Sequence, residues 1–152
     1  MAGQTFVPSD FVVPTELITP RFRLEPLGPE HNVPDHAAWT SSIDHVRATP
    51  GFQGRGWPPV DGMTLEANLA DLQRHADDFV QRRGFTYTVI ETGSGEVIGC
   101  VYIYPLRSDD RVTDVRSWVR GDRAELDVPL YEAVTAWLST DWPFGTIDYA
   151  PR

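Results

Sequence analysis

Two strands joined by a glycine-rich turn are the feature that most constrains how this chain folds. Residues 85–91 and 96–105 are rich in β-branched and aromatic side chains, and Thr92-Gly93-Ser94-Gly95 separates them. A short connection that contains glycine between two such runs is typical of a β-hairpin. The apolar run over residues 97–104 is too continuous for an edge strand. The sequence therefore predicts a hairpin whose second strand lies inside a sheet.

The N-terminal half combines extended and helical patterns. Residues 1–20 contain three prolines between short apolar pieces, which favours an extended arm. Residues 21–27 alternate polar and apolar side chains as a half-buried strand does. Residues 29–47 predict one or two short helices, and the glycine- and proline-rich residues 48–63 predict a loop.

A longer helix is predicted from an N-cap at Thr64 to about Arg83, before the hairpin. Its apolar residues are spaced for one helical face, which we expect to be buried: Leu65, Leu69, Leu72, Ala76, Phe79 and Val80.

After the hairpin, the pattern predicts a polar loop over 107–111, a strand over 112–119 and a helix over 128–141. Asp127 suits the N-cap of that helix and Pro129 its first turn. Its buried stripe is predicted to be Leu130, Val134, Trp137 and Leu138. A short strand over 146–149 follows. The order predicts an α+β fold with a mainly antiparallel mixed sheet, helices on both faces and one strand–helix–strand crossover.

Composition limits the classes of partner. The chain of 152 residues has a net charge of −9, and its 13 cationic residues are all arginines. A net acidic domain has no long-range attraction for nucleic acid or anionic membranes. No apolar run approaches the roughly 20 residues that span a bilayer, and residues 1–10 lack the pattern of a secretory signal. With Cys100 as its single cysteine, the chain is expected to be cytoplasmic.

Four segments, in order, resemble the GNAT superfamily of N-acetyltransferases. Residues 21–27 (RFRLEPL) are similar to its first strand, and residues 95–103 (GEVIGCVYI) to its third. Residues 114–119 (DVRSWV) resemble its fourth strand, and residues 130–138 (LYEAVTAWL) the helix after its cofactor loop. The resemblance implies an acyl-CoA N-acyltransferase-like fold, with a GNAT-like domain over residues 21–152 after the arm over residues 1–20.

The resemblance also implies acetyl-CoA as cosubstrate, held where the fourth strand diverges from the fifth. Backbone groups of Ser117, Trp118 and Val119 would contact its pantetheine arm. The diphosphate would lie on the loop before the following helix, where amides and the helix dipole favour anions. The residues expected to form that loop site are Arg120, Arg123, Ala124, Glu125 and Leu126.

Two departures from the family pattern stand out. Glu125 and Asp127 fall where the family has small residues, and each carboxylate would repel a diphosphate by about 1 kcal/mol even in water. A shifted alignment that uses Arg120, Arg123 and Ala124 remains an alternative. The chain also lacks the family's last elements, so only Tyr149 lies near the position of the usual general acid. Because a shortened sheet exposes an edge, a homodimer is a further expectation.

Candidate residues for the chemistry come from the central strands. Asp114 matches the acid of the family's fourth strand and is the predicted general base, although a solvated carboxylate is the simpler interpretation. Tyr102 and Tyr104 share one face of a strand, and with Trp57 and Glu91 they are the predicted acceptor pocket. No pair among the four histidines has a metal-ligand spacing, so no metal is predicted.

Three functional interpretations remain open at this point. The first is an acetyl-CoA-dependent N-acetyltransferase acting on a small-molecule or protein amine. The second is an inactive GNAT-fold protein that serves as a dimeric or partner-binding module, which the acidic loop and the missing last strands favour. The third is a ligand-binding protein of another α+β fold, with an aromatic pocket formed by Trp39, Trp57, Tyr102 and Tyr104.

Overall fold

The computed structural model describes residues 5–152, which form one six-stranded sheet and four α-helices. The strands are β1 (Leu17–Ile18), β2 (Phe22–Pro26), β3 (Phe85–Glu91), β4 (Val97–Leu106), β5 (Asp109–Val119) and β6 (Thr146–Tyr149). The helices are α1 (Asn32–Thr40), α2 (Ile43–Ala48), α3 (Leu65–Val80) and α4 (Asp127–Asp141). Short 3₁₀ helices precede α1 at Pro29–His31 and α4 at Gly121–Leu126.

The strands lie side by side in sequence order, from β1 to β6. Every neighbouring pair is antiparallel except β5 and β6, which are parallel and are connected through α4. The α+β prediction, the hairpin and the interior position of β4 are therefore confirmed. Gly99 of β4 is required by the close approach of β5, since a Cβ there would lie 2.3 Å from the carbonyl oxygen of Trp118.

Each face of the sheet carries its own apolar core. On one face, β3, β4 and β5 pack against α4, whose predicted stripe is buried as expected: Leu130, Val134, Trp137 and Leu138. On the other face, α1, α2 and the 49–64 connection cover Cys100 and Trp118. Because successive side chains of a strand point to opposite faces, β4 and β5 contribute to both cores.

The buried side of α3 differs from the predicted apolar stripe. Thr64 caps the helix as predicted, with Oγ1 accepting from the amide of Ala67. Leu65 and Leu69, however, are 43% and 41% exposed, and Val80 is 78% exposed. The helix instead buries Asn68 with Leu72, because the Asn68 amide forms hydrogen bonds with α1. The hydrogen bonds of Asn68, rather than the spacing of the leucines, thus decide which side of the helix is buried.

Two element boundaries also differ from the prediction. β5 begins at Asp109, so the turn after β4 is shorter than the predicted 107–111 loop. Asp127 is the first residue of α4 rather than its N-cap, and Leu126 occupies the cap position. The Asp127 carboxylate makes no cap hydrogen bond and accepts one from Arg152 instead.

The predicted N-terminal arm packs along the sheet. Val7 is 1% exposed, and the hydroxyl of Tyr87 donates to the carbonyl of Pro14 over 2.6 Å. Arg82 donates to the carbonyls of Pro8 and Phe11, while β1 pairs with β2. Residues 1–4 of the arm lie outside the described residues. The helices between residues 5 and 152 are each too short or too polar to cross a membrane.

Candidate functional site

A cleft of about 550 Å³ lies between the sheet and the helices α1 and α3. It opens on the face to which alternate side chains of β4 and β5 point, and the 49–64 connection forms one wall. Its aromatic side chains are Phe52, Trp57, Tyr102, Tyr104 and the imidazole of His75. Its charged side chains are Arg55, Arg74, Arg107, Arg116, Asp35, Asp71 and Asp114.

The aromatic wall is held together by ring contacts. The Trp57 ring lies 5.9 Å from that of Phe52 and 6.3 Å from that of Tyr102, measured between centroids. The Tyr102 hydroxyl accepts from Nε1 of Trp118 over 3.0 Å. Three of the predicted pocket residues, Trp57, Tyr102 and Tyr104, therefore line one cleft. Glu91, the fourth, is not part of its lining.

His75 extends the site in a way that sequence reasoning did not anticipate. Its Nδ1 lies 2.8 Å from the hydroxyl of Tyr104 and 3.1 Å from that of Thr86. The Tyr104 hydroxyl in turn donates to Asp78. Burial lowers the pKa of His75 to about 4, so the imidazole is neutral at pH 7. The spacing of three residues from Leu72 was the available signal, since it places His75 on the buried side of the helix.

The far wall of the cleft is formed by β5. The side chain of Asp114 is 10% exposed, with Oδ2 3.5 Å from Nε of Arg116 and 3.9 Å from Nη1 of Arg55. The Arg116 guanidinium lies over the rings of Phe52 and Tyr102. Two guanidinium groups thus flank the carboxylate that the sequence singled out.

A buried polar network forms the floor of the cleft. Asp35 is 4% exposed and accepts from Nδ2 of Asn68 over 3.1 Å. The same asparagine accepts from Nε1 of Trp39 over 3.0 Å. Burial raises the pKa of Asp35 to about 6, even though the hydrogen bond from Asn68 acts in the opposite direction.

The pairing of β5 with β6 ends beside the cleft. The last paired residues are Val115 and Tyr149, whereas β5 continues to Val119. The Tyr149 hydroxyl lies 2.6 Å from Oγ of Ser117. Burial raises the pKa of Tyr149 to about 12, so the phenol keeps its proton at neutral pH.

The guanidinium of Arg152 occupies the gap between the ends of β5 and β6. Its Nη2 donates to the carbonyl of Ser117 and its Nε to Oδ2 of Asp127, each over 2.7 Å. The rings of Tyr131 and Tyr149 lie 5.9 and 5.8 Å from its central carbon. The side chain is 2% exposed, so it belongs to the interior of the gap.

The predicted acid and base approach this gap from opposite sides. Asp114 is in register with Asp148, and Val115 with Tyr149. Because neighbouring residues of a strand alternate between faces, Asp114 faces the cleft and Tyr149 faces α4. The structure therefore places the two residues near the end of the paired segment but not on a common face.

The connection from β5 to α4 is rich in ion pairs. Arg120 contacts Asp122 at 2.8 Å and Glu96 at 3.2 Å. Arg123 donates to Glu91 over 2.9 Å. The hydrogen bond from Arg123 holds the pKa of Glu91 below its usual value, and the Ser94 hydroxyl adds to this. In this arrangement both arginines already have carboxylate partners where phosphate oxygens were predicted.

The other predicted cofactor residues differ in what they can offer. The side chains of Trp118, Val119 and Leu126 are buried in the cores and can present only backbone groups. Ala124 and Glu125 are exposed on the 3₁₀ helix before α4. The amide of Gly121 already donates to Oγ of Ser42 over 2.8 Å. A diphosphate on this connection would therefore have to displace the carboxylates that pair with Arg120 and Arg123 and the Ser42 hydroxyl that binds the Gly121 amide.

The sequence matches no family model, and no curated protein matches it. Among solved structures, it is similar to the ribosomal-protein-S5-alanine acetyltransferase from Vibrio fischeri, with 14% identity and a TM-score of 0.60 over 81% of this chain and 66% of that one. It is also similar to a GCN5-related N-acetyltransferase from Brucella melitensis, with 14% identity and a TM-score of 0.57 over 83% of this chain and 55% of that one.

A third similar structure is the microcin C7 self-immunity acetyltransferase MccE, solved in complex with acetyl-CoA and AMP. It shares 8% identity and a TM-score of 0.59 over 82% of this chain and 67% of MccE. The chain spans about two thirds of the length of the first of these acetyltransferases. It therefore has the GNAT fold, as its sequence motifs indicated.

Proposed function

We propose that this protein transfers an acetyl group from acetyl-CoA to an amine that enters the cleft. The observation that carries the proposal is the early end of β5–β6 pairing at Val115 and Tyr149, beside the cleft. It leaves backbone groups of β5 beyond Val115 without a strand partner on that side. An extended ligand with amide groups can use them as a further strand would.

The backbone carbonyl of Ser117 is the clearest such group. It accepts from a side chain rather than from a strand, and it lies two residues beyond the last paired residue of β5. An amide N–H of the pantetheine arm is the corresponding donor in the proposed complex. The GNAT fold and the acetyl-CoA bound to MccE support this assignment.

The proposed reaction is direct transfer without a covalent enzyme intermediate. The amine nitrogen attacks the thioester carbonyl, the new C–N bond forms, and the C–S bond breaks. Asp114, on the cleft side of the gap, receives the proton that the amine loses, while the phenol of Tyr149, on the α4 side, supplies one to the departing sulfur. With its pKa raised to about 12, the Tyr149 phenol carries its proton at neutral pH and so has one to donate.

Binding of the diphosphate requires an exchange of partners at the β5–α4 connection. Arg120 and Arg123 would have to release Glu91, Glu96 and Asp122 to contact phosphate oxygens. These ion pairs are partly exposed, and exposed pairs stabilise a protein by only about 0–1 kcal/mol. The exchange is therefore energetically accessible to a doubly charged ligand.

The test is calorimetric titration and thermal denaturation of the full chain with acetyl-CoA and with CoA. Saturable binding should raise the melting temperature, because a ligand that binds only the folded state stabilises that state. A double variant, Arg120→Gln with Arg123→Gln, should bind at least tenfold more weakly. Arg21→Gln is the matched control, since Arg21 is exposed and lies outside the cleft and the connection.

A transfer assay then follows free thiol released from acetyl-CoA in the presence of amines. Thiol release that depends on the amine supports the proposal. The absence of heat and of thermal stabilisation at millimolar acetyl-CoA would contradict it.

The second candidate is a GNAT-fold binding module without transfer activity, as a homodimer or with another partner. The specific observation in its favour is that Arg120, Arg123 and Arg152 all have carboxylate partners in place of a cofactor. β6 forms one edge of the sheet within residues 5–152, which offers a surface for strand pairing. Light scattering that shows a dimer, together with no binding of CoA, would favour this candidate.

A further inference from the structure

We propose that Arg116 is an anion-binding residue of the cleft and that it selects amines that also carry a carboxylate or phosphate group. As a statement about the acceptor, the inference rests on the proposed transfer function. As a statement about binding, it stands alone, because small ligands can be tested without acetyl-CoA.

The guanidinium of Arg116 has unused hydrogen-bond donors. Within residues 5–152, no oxygen accepts a hydrogen bond from its guanidinium, and its Nε is buried without a partner. The Asp114 oxygen, 3.5 Å from Nε, is farther than the roughly 2.7–3.2 Å of an N–H···O bond. A buried donor without an acceptor is unfavourable. The side chain is 26% exposed, so ligand oxygens in the cleft can reach its Nη groups, which have no acceptor within residues 5–152.

Two aromatic rings fix the position of the guanidinium. Its central carbon lies 5.6 Å from the centroid of the Phe52 ring and 6.0 Å from that of Tyr102. Cation–π contacts of this kind hold a guanidinium group in place without using its N–H groups. Arg116 is therefore both oriented and free to bind, which is the arrangement that bidentate recognition of a carboxylate or phosphate requires.

The local charge of the cleft also favours an anionic ligand. Arg116 and Arg55 flank the single carboxylate of Asp114, so one positive charge of this group is uncompensated. The whole lining contains four arginines and three aspartates, whereas the chain carries a net charge of −9. The cleft is thus a cationic site in an acidic protein, and charge of that sign attracts anionic groups.

The rest of the cleft indicates what the anionic group is attached to. Trp57 and Tyr104 are partly exposed and offer aromatic surface, His75 is neutral at pH 7, and Leu106 contributes apolar surface. These walls suit a flat or apolar body of small size. The ligand class is therefore a small aromatic or apolar amine with one anionic group.

The first test compares matched probes on the unmodified protein by calorimetry and tryptophan fluorescence, without acetyl-CoA. Phenylalanine and 2-phenylethylamine differ only in the carboxylate, and (1-amino-2-phenylethyl)phosphonic acid carries a phosphonate in place of that carboxylate. We expect at least tenfold weaker binding of 2-phenylethylamine than of the better anionic probe. Preference for phenylalanine or for the phosphonate identifies the anion. Binding of 2-phenylethylamine as tight as that of the better anionic probe, or no binding of any probe, overturns the proposal.

The second test uses variants of Arg116. Arg116→Gln should weaken the binding of the better anionic probe at least tenfold. Arg116→Lys keeps the charge but not the planar donors, so its affinity should lie between those of the unmodified protein and of Arg116→Gln. Arg21→Gln loses the same charge outside the cleft and should bind normally. Unchanged binding by a folded Arg116→Gln variant contradicts the inference. If that variant fails to fold, the probe comparison on the unmodified protein decides. Anion binding without any binding of acetyl-CoA would retain this inference and reject the transfer function.

Discussion

The guanidinium of Arg152 donates from Nη2 to the carbonyl oxygen of Ser117 over 2.7 Å, at the point where β5 and β6 stop pairing. This carbonyl is also the backbone acceptor that the proposed transferase offers to an amide of acetyl-CoA. A side-chain donor and a ligand donor therefore compete for one oxygen. Arg152 is buried and is fixed by Asp127 as well, so the competition has a measurable cost.

Replacement of Arg152 by alanine should have two opposite effects. Removal of the competing donor should lower the dissociation constant of acetyl-CoA several-fold. The free energy of unfolding should fall by about 1–3 kcal/mol, because the Asp127 carboxylate loses its charged partner. Calorimetric titration measures the first effect and urea denaturation the second.

The exposed Arg111, whose side chain is 81% exposed, provides the control for Arg152. Arg111→Ala should change neither quantity by more than the experimental error. A rise in the dissociation constant on Arg152→Ala would instead mean that Arg152 contacts the cofactor, and the competition argument would be wrong.

Tyr149 should affect the chemical step more than binding. Tyr149→Phe keeps the ring between Tyr131 and Arg152 but removes the phenolic proton and its contact with Ser117. If the phenol protonates the departing thiolate, kcat for acetyl transfer should fall about 10²-fold. The dissociation constant of acetyl-CoA should change little.

Tyr131→Phe is the matched control for Tyr149, because its ring lies 4.7 Å away and it loses an equivalent hydroxyl. Its kcat should remain close to that of the unmodified protein. Equal activity of both variants would remove Tyr149 from the proposed mechanism.

The buried polar face of α3 gives a prediction about stability. Asn68→Ala leaves Nε1 of Trp39 without an acceptor and Asp35 without a donor, which should cost about 1–3 kcal/mol. Leu69→Ala changes a leucine that is 41% exposed, and should cost less than about 1 kcal/mol. Thermal denaturation of the two variants measures the difference. A larger loss from Leu69→Ala would show that the leucine stripe, not the asparagine, anchors the helix.

The sequence predicted the elements whose apolar pattern is complete within a short window. The hairpin of β3 and β4 and the buried stripe of α4 are examples, because a single periodicity describes each. Motif order then predicted the crossover from β5 to β6. The fold of the central sheet was therefore accessible from local patterns and the family resemblance.

The site was less accessible, because its contacts join residues far apart in sequence. Arg116 of β5 contacts Phe52 of the 49–64 connection, and Arg152 contacts Ser117 of β5. Neither pair follows from a local pattern. The prediction that the leucine face of α3 is buried was wrong for a related reason. A polar residue is predicted to be exposed unless its distant partners are known, and those of Asn68 lie on α1.

Asp35 and His75 give opposite contributions to the pH dependence of stability. The pKa of His75 falls to about 4 in the folded state, from about 6.5 in an unfolded chain. The unfolded state binds more protons between these values, so this contribution to stability is lost as the pH falls from about 6.5 to 4. The pKa of Asp35 rises to about 6, so the folded state binds more protons below that pH and its contribution increases on acidification.

Each shift corresponds to about 3 kcal/mol at most, since one pKa unit is about 1.4 kcal/mol. The two contributions therefore offset each other between about pH 4 and 6 in the unmodified protein. Asp35→Asn should lose stability more steeply on acidification over this range, and His75→Gln less steeply. Urea denaturation at several pH values measures the slopes. Because the other titrating groups are common to all three proteins, the order of the slopes tests the two assignments. Identical slopes in all three proteins would contradict both pKa shifts.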